Sequence, residues 1–253
     1  MIIIKTQKEI DAMRRGGNLL AGVMEEVGKF IAPGKSTHEV NELARKLIFD
    51  RGGYPVFEGQ GEPDNPFPGA ICISLNNEIV HGIPRKDRII KEGDLVKIDV
   101  GMEYGGLITD MARTFGAGKI SVDAQKLLDA TRESLNEGIN MIFPGGKLSR
   151  YSEAVEKYVK ARGFSVVRDL VGHGVGHELH EDPQILNYRA RIKDTVIEEG
   201  MTLALEPMIN AGTYAIKILP DGWTFATRDG KLSAHFEDTI AVTKKGVEIL
   251  TRK

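Results

Sequence analysis

Cysteine is almost missing from this chain: Cys72 is the only one among 253 residues. That excludes an internal disulfide and a thiolate zinc cluster. Tryptophan is equally scarce, with Trp223 standing alone. No apolar run approaches the ~18 residues that a membrane span needs. The opening Met1-Ile2-Ile3-Ile4-Lys5 breaks into charge too early for a secretory apolar core. A net charge of -2 supplies no basic field for holding phosphates. These absences lead us to expect a cytoplasmic globular protein with neither nucleic acid nor membrane as partner. The length suits one large domain or two smaller units sharing a core.

Glycine, by contrast, is plentiful and marks a repeat. Ile31-Ala32-Pro33-Gly34 through Arg51-Gly52-Gly53 resembles Ile142-Phe143-Pro144-Gly145 through Arg162-Gly163-Phe164 at one constant offset. Each copy reads as a Pro-Gly turn, an amphipathic helix and a glycine stop. Val40, Leu43, Leu47 and Ile48 mark the buried face of the first helix. Ala154, Val155, Tyr158 and Val159 mark that of the second. A second echo pairs Ile90–Asp99 with Ile197–Glu206, each a charged turn feeding an apolar strand that ends on a carboxylate. Duplication predicts one domain of two related halves, about 1–120 and 121–253, with Asp99 and Glu206 facing a shared centre.

Four acids lie in apolar strand contexts. Leu95–Glu103 and Leu107–Phe115 read as strands joined at Tyr104-Gly105-Gly106, a hairpin signal. With Tyr104-Gly105 as a two-residue loop, Glu103 pairs with Gly106 and Asp99 falls directly opposite Asp110. Like charges at that spacing repel unless a cation lies between them. Thr202–Leu205 leads to Glu206, kept extended by Pro207. Ser233–Val242 reads as one alternating strand with His235 and Glu237 on a common face. Any one of these acids alone reads as a solvated strand residue. Four together, two of them related by the repeat, read as a metal site, because a buried carboxylate needs a partner.

Val171-Gly172-His173-Gly174-Val175-Gly176-His177-Glu178-Leu179-His180 holds three of the six histidines. Its glycines oppose a helix, so the helical His-Glu-x-x-His zinc pattern does not apply. The spacing also misses the dinucleotide-binding glycine pattern. A glycine-rich loop that lets backbone approach a ligand is expected. His177 reads as a surface residue, whereas His173 and His180 gain weight from the acids. His81, in Val80-His81-Gly82-Ile83-Pro84, reads by itself as a turn histidine.

Together these segments resemble the type I methionine aminopeptidases of the pita-bread fold. The marks are Val80–Pro84, Lys97-Ile98-Asp99-Val100-Gly101, Thr109-Asp110, Gly172–Gly176, His180-Glu181, Leu205-Glu206-Pro207-Met208, Asp221-Gly222-Trp223-Thr224, Leu232-Ser233-Ala234 and Glu237-Asp238-Thr239. The resemblance spans nearly the whole chain. It implies an α/β (α+β) fold with duplicated halves, an antiparallel sheet and a dinuclear metal site between the halves. It implies Asp99, Asp110, His173, Glu206 and Glu237 as ligands of two divalent ions, whether cobalt, manganese, iron or zinc. Asp110 and Glu237 would bridge both ions, with Asp99 on one and His173 and Glu206 on the other.

The same resemblance implies catalytic roles for His81, His180 and Glu206. It places substrate contacts at His81, His180, Trp223, Cys72 and Phe67. The implied activity is removal of the initiator methionine from nascent polypeptides, by a monomer acting in the neighbourhood of the ribosome. Glu58–Pro66 is longer and more polar than the resemblance leads one to expect. Two alternatives share the fold: an Xaa-Pro aminopeptidase or dipeptidase, which usually carries an additional N-terminal domain, and a non-catalytic peptide-binding protein.

Overall fold

The computed structural model describes residues 1–191 and 193–253. The chain opens with α1 (Gln7–Phe30) and α2 (Thr37–Asp50), then β1 (Tyr54–Pro55), β2 (Cys72–Leu75) and β3 (Glu78–Val80). A long hairpin follows, β4 (Leu95–Tyr104) and β5 (Leu107–Gly116). Next come α3 (Val122–Ile139), α4 (Leu148–Lys160), β6 (Ser165–Val166), β7 (Gly172–Gly174) and β8 (Glu181–Ile185). Then come β9 (Thr202–Leu205), β10 (Met208–Asn210), β11 (Ile216–Ile218) and β12 (Phe225–Thr227), and finally β13 (Ser233–His235), β14 (Glu237–Thr243) and β15 (Gly246–Ile249). No helix among the described residues is long and apolar enough to cross a membrane.

Local chemistry explains the helices. Thr6 and Glu9 form a reciprocal capping box at the start of α1, and Ser36 and Glu39 do the same for α2. Ile10, Met13, Leu20, Met24 and Val27 recur at helical spacing along the buried face of α1. Leu20, Met24 and Val27, with α2, cover one core that includes Ile71, Ile73, Val96, Ile98 and Val100, while Ile10 and Met13 pack with Leu107, Val175 and Leu250. A second core lies under α3 and α4 and includes Leu135, Tyr151, Val155, Leu203, Leu205 and Ile209.

The sequence echo has a hydrogen-bonding counterpart. Gly34 N–H donates to Ile90 O at 2.9 Å, and Gly145 N–H donates to Ile197 O at 2.8 Å. Thr37 N–H donates to Arg88 O, and Leu148 N–H to Thr195 O. The bridges Ser36–Ile89 and Lys147–Val196 follow the same pattern. Gly34 and Gly145 hold φ of 92° and 81°, left-handed values that glycine adopts without penalty.

The large sheet runs β1-β4-β5-β14-β9-β7-β8, with β2 beside β4 and β15 beside β14. Its pairings are antiparallel. Three sequence expectations are corrected here. Gly105-Gly106, not Tyr104-Gly105, forms the hairpin loop, so Tyr104 pairs with Leu107. Both glycines have positive φ, 63° and 79°, as a type I′ turn demands; Tyr104 in that role would place a Cβ in the disfavoured region. Asp99 therefore lies opposite Ala112 and Asp110 opposite Gly101. The two acids stay on one face as diagonal neighbours rather than a direct pair.

Gly172–Gly174 is strand rather than loop. His173 pairs with Ala204 and Gly174 with Leu203. A Cβ on Gly172 would press into Ala204 O, and one on Gly174 into Asp182 O, so the glycines permit close strand packing.

Ser233–Val242 is not one strand either. It leaves the small sheet β13-β10-β6 at His235 and enters the large sheet at Glu237. The partner segment changes sheets at Glu206-Pro207, where proline lacks the N–H that a continuing ladder requires.

Candidate active site

Each acid and imidazole singled out in the sequence is placed by its own strand. In sheet order, Asp99 is on β4, Asp110 on β5, Glu237 at the start of β14, Glu206 just past β9 and His173 on β7. Five consecutive strands thus present one such side chain each. Asp110, His173 and Glu237 each offer an atom within 4.8 Å of the others. His173 Nε2 lies 3.5 Å from Glu206 Oε1. Asp99, Asp110 and Glu237 are 7, 4 and 2 % exposed.

This crowding has an electrostatic signature. Asp99 Oδ1, Asp110 Oδ1 and Glu237 Oε1 are buried without a hydrogen-bond partner. Burial, with repulsion from Asp110, lifts the Asp99 carboxyl well above its ordinary range. Burial likewise raises Asp110, Glu206 and Glu237, the last two further raised by neighbouring acids. No hydrogen-bond donor among the described residues reaches these three oxygens, and a divalent cation would compensate them. A donor set of carboxylate oxygens and one imidazole suits manganese, cobalt, iron or zinc.

The histidines are prepared differently. His173 Nδ1 bonds Gly174 O at 2.9 Å, which places the proton on Nδ1 and leaves the Nε2 lone pair facing Glu206. Burial, with repulsion from His180, lowers His173 to about 4, so it is neutral near pH 7. His180 stacks edge-on against His173 with ring centroids 4.6 Å apart. His81 holds φ of 57°, an uncommon value for a residue with a Cβ. Its turn is fixed by Gly82, whose N–H donates to Ser74 Oγ at 3.0 Å and whose carbonyl accepts from Ile73 N–H at 2.8 Å. Burial and His180 lower His81 to about 4 as well.

All five acids and imidazoles open into one cavity of about 190 Å³, which His81 and His180 also line. Its apolar side holds Phe67, Cys72 and Trp223, the three residues marked as substrate contacts, together with Phe57 and Leu179. The Asp221-Gly222-Trp223-Thr224 motif is a tight turn. Asp221 Oδ1 accepts from Trp223 N–H at 3.0 Å and from Thr224 N–H at 2.9 Å. Phe67 meets Trp223 edge-on at 5.2 Å. His177 lies outside the cavity, 3.0 Å from Glu9.

The deciding match is to the whole chain rather than to the site alone. The model of metallopeptidase family M24 aligns with residues 11–244. The chain belongs to this family, among the methionine aminopeptidases. It is 48% identical over 252 residues to methionine aminopeptidase 1 of Bacillus subtilis, covering all of both chains. The crystal structure of the methionine aminopeptidase from Thermotoga maritima superposes with a TM-score of 0.96 at 44% identity, again covering both chains fully. Prolidase from Pyrococcus furiosus superposes with a TM-score of 0.75 at 24% identity. This chain covers 99% of itself and 66% of that protein, a likeness that shows the fold alone.

The M24 enzyme is thus a pita-bread metallopeptidase whose candidate ligand set fits a divalent ion. Sequence reasoning left one neighbour of that set without a role. His235 is 1 % exposed, with Nε2 3.6 Å from Glu206 Oε2 and 4.0 Å from Glu237 Oε2. The signal was available: a histidine two residues before an acid in an alternating segment shares its face. Asp238, beside Glu237, is fully buried and takes Arg113 and Arg252 as partners. It faces away from the cavity and braces β14 against β5.

Proposed function

We propose that this metallopeptidase removes the N-terminal methionine from nascent polypeptides at a dinuclear site. The observation that carries the reading is the adjacency of five ligand-type side chains, one per consecutive strand, to an apolar pocket closed by Trp223. Asp99, Asp110, His173, Glu206 and Glu237 would hold two divalent ions, whose charge offsets the four carboxylates. When bound, such ions polarise a carbonyl and make water acidic enough to attack near neutral pH.

The chain's own residues supply the rest. Glu206, which lies between the two imidazoles of His173 and His235, would accept the proton that the attacking water gives up. His180 at the cavity mouth donates to the oxygen on which charge develops. His81 is neutral near pH 7, so it serves the scissile amide as a hydrogen-bonding partner rather than as a standing proton source. Phe67, Cys72 and Trp223 receive the side chain of the first residue; methionine, unbranched and polarizable, suits such a narrow apolar slot. Cys72 is buried and its thiol pushed well up, so it packs rather than reacts.

The same reading takes the chain as one catalytic domain of two halves, about 1–120 and 121–253. It acts as a cytoplasmic monomer on chains leaving the ribosome. The test is turnover of Met-Ala-Ser and Ala-Pro-Ser by ion-free protein resupplied with Mn²⁺ or Co²⁺. Ion-dependent release of methionine is expected, with kcat falling by at least about a hundredfold in Glu206→Ala. Cleavage before proline instead would transfer the chain to the Xaa-Pro enzymes. Ion binding with no cleavage would make it a binding protein.

A further inference from the structure

One segment adjoining the cavity has no part in the chemistry above. Glu58–Pro66 leaves the wall at Phe57 and rejoins it at Phe67, and both phenylalanines line the cavity. The loop closes on itself: Gly59 N–H donates to Phe67 O at 2.9 Å, and Phe67 N–H donates to Gln60 O at 2.8 Å. It then leans on Trp223. The indole Nε1–H donates to Asn65 O at 3.0 Å, and the Asn65 amide donates to Asp221 O at 3.3 Å. Gly61 lies so close to the six-membered ring that a Cβ there would overlap its outer carbons. Towards the cavity the indole meets Phe67, with its centroid 6.2 Å from that of His81.

The geometry points to Gly61 and Asn65 as positioning residues for the side-chain pocket. They hold the Trp223 indole in the one orientation that closes the slot around an unbranched apolar side chain. This rests on the reading that the cavity receives methionine. The indole has no other hydrogen-bond acceptor among the described residues, so its N–H direction is set by the loop. Gly61 adds the steric half: with φ of 98° and only a hydrogen beneath the ring, it lets loop and indole touch. Substrate affinity is thereby governed partly by a surface loop that contributes no group to the reaction.

Gly59 provides the control. Its φ of 84° imposes a similar backbone penalty on alanine, yet nothing lies within 4 Å of a Cβ there. Gly61→Ala should raise KM for Met-Ala-Ser about tenfold and leave kcat within about twofold, the mark of lost uniform binding. Gly59→Ala should keep the original KM. Because Trp223 is the sole tryptophan, the indole reports directly: its emission maximum should shift in Gly61→Ala and not in Gly59→Ala. Trp223→Phe, which keeps a ring but loses the N–H to Asn65, should raise KM in the same direction. Equal KM and emission in the two glycine variants would overturn the assignment, as would a fall in kcat at constant KM. If the unaltered protein releases no methionine, the proposed activity fails, while the emission comparison still decides whether the loop positions the indole.

Discussion

Each site acid holds a protonation state that its surroundings dictate, and this makes the ion's contribution depend on pH. In the ion-free protein burial raises Asp99, Asp110, Glu206 and Glu237, with Asp110 pushed up to about 7. A raised carboxyl supports the fold fully below its unfolded pKa of about 4, and that support is lost as pH rises through the folded value. Neutral His173 runs the other way. Lowered from 6.5 to about 4, its support is present above 6.5 and lost as pH falls through about 4. A cation competes with protons at all of these groups. The rise in Tm on adding Mn²⁺ should therefore grow from about pH 5 to about pH 7; a gain independent of pH would exclude these ligands. At this scale the sequence was most legible, because apolar strands that end on acids are informative by themselves. His235 escaped because a histidine has many harmless uses, and only three dimensions show both of its ring nitrogens buried without a hydrogen bond, Nε2 beside two carboxylates.

Elements were legible where composition demands them and illegible where register depends on a single residue. The Pro-Gly turns, capped helices and β4–β5 hairpin follow from residue type. The rungs of that hairpin do not, since three candidate residues, Tyr104, Gly105 and Gly106, compete for a two-residue loop. The observed Gly105-Gly106 turn predicts an asymmetry between its positions. Gly105→Asn should leave thermal stability unchanged or slightly higher, because Asn-Gly is a favoured type I′ pair. Gly106→Val should destabilise by about 1–2 kcal/mol, since a β-branched residue is forced to positive φ. Urea unfolding of the two variants checks this, and equal midpoints would refute the turn assignment. The change of sheet at Phe236 was likewise hidden, because a bend between two strands leaves an alternating pattern intact.

Across the whole molecule, long-range ties were the least legible of all, since residues far apart in sequence carry no mark of their partnership. Lys5 and Glu181 form an ion pair with side chains 1 and 2 % exposed. Glu181 Oε1 also accepts from His177 N–H at 2.7 Å and Glu178 N–H at 3.2 Å, so the N-terminal segment braces the approach to His180. Lys5→Met leaves Glu181 buried and short of its cation, and should destabilise by roughly 3–5 kcal/mol in denaturant titration. A loss under about 1 kcal/mol would mean the pair is solvated in solution.

The same scale gives meaning to the join between β5 and β14. The β4–β5 ladder has ten registered pairs, whereas β5 and β14 share only Ala112–Glu237 and Met111–Asp238. Thr239 reinforces the join by accepting from Asp110 N–H and donating to Asp110 O, at 2.9 and 2.7 Å. Asp110 and Glu237 flank this short ladder, so an ion held there would act as a rivet on a crease. Hydrogen–deuterium exchange on ion-free protein should find the amides of Asp110, Ala112 and Glu237 opening faster than those deep in the β4–β5 hairpin. Adding the ion should close that gap. The chemistry and the mechanics of the sheet would then share one fold line, and an inhibitor that strips the ion would slacken the molecule as well as silence it.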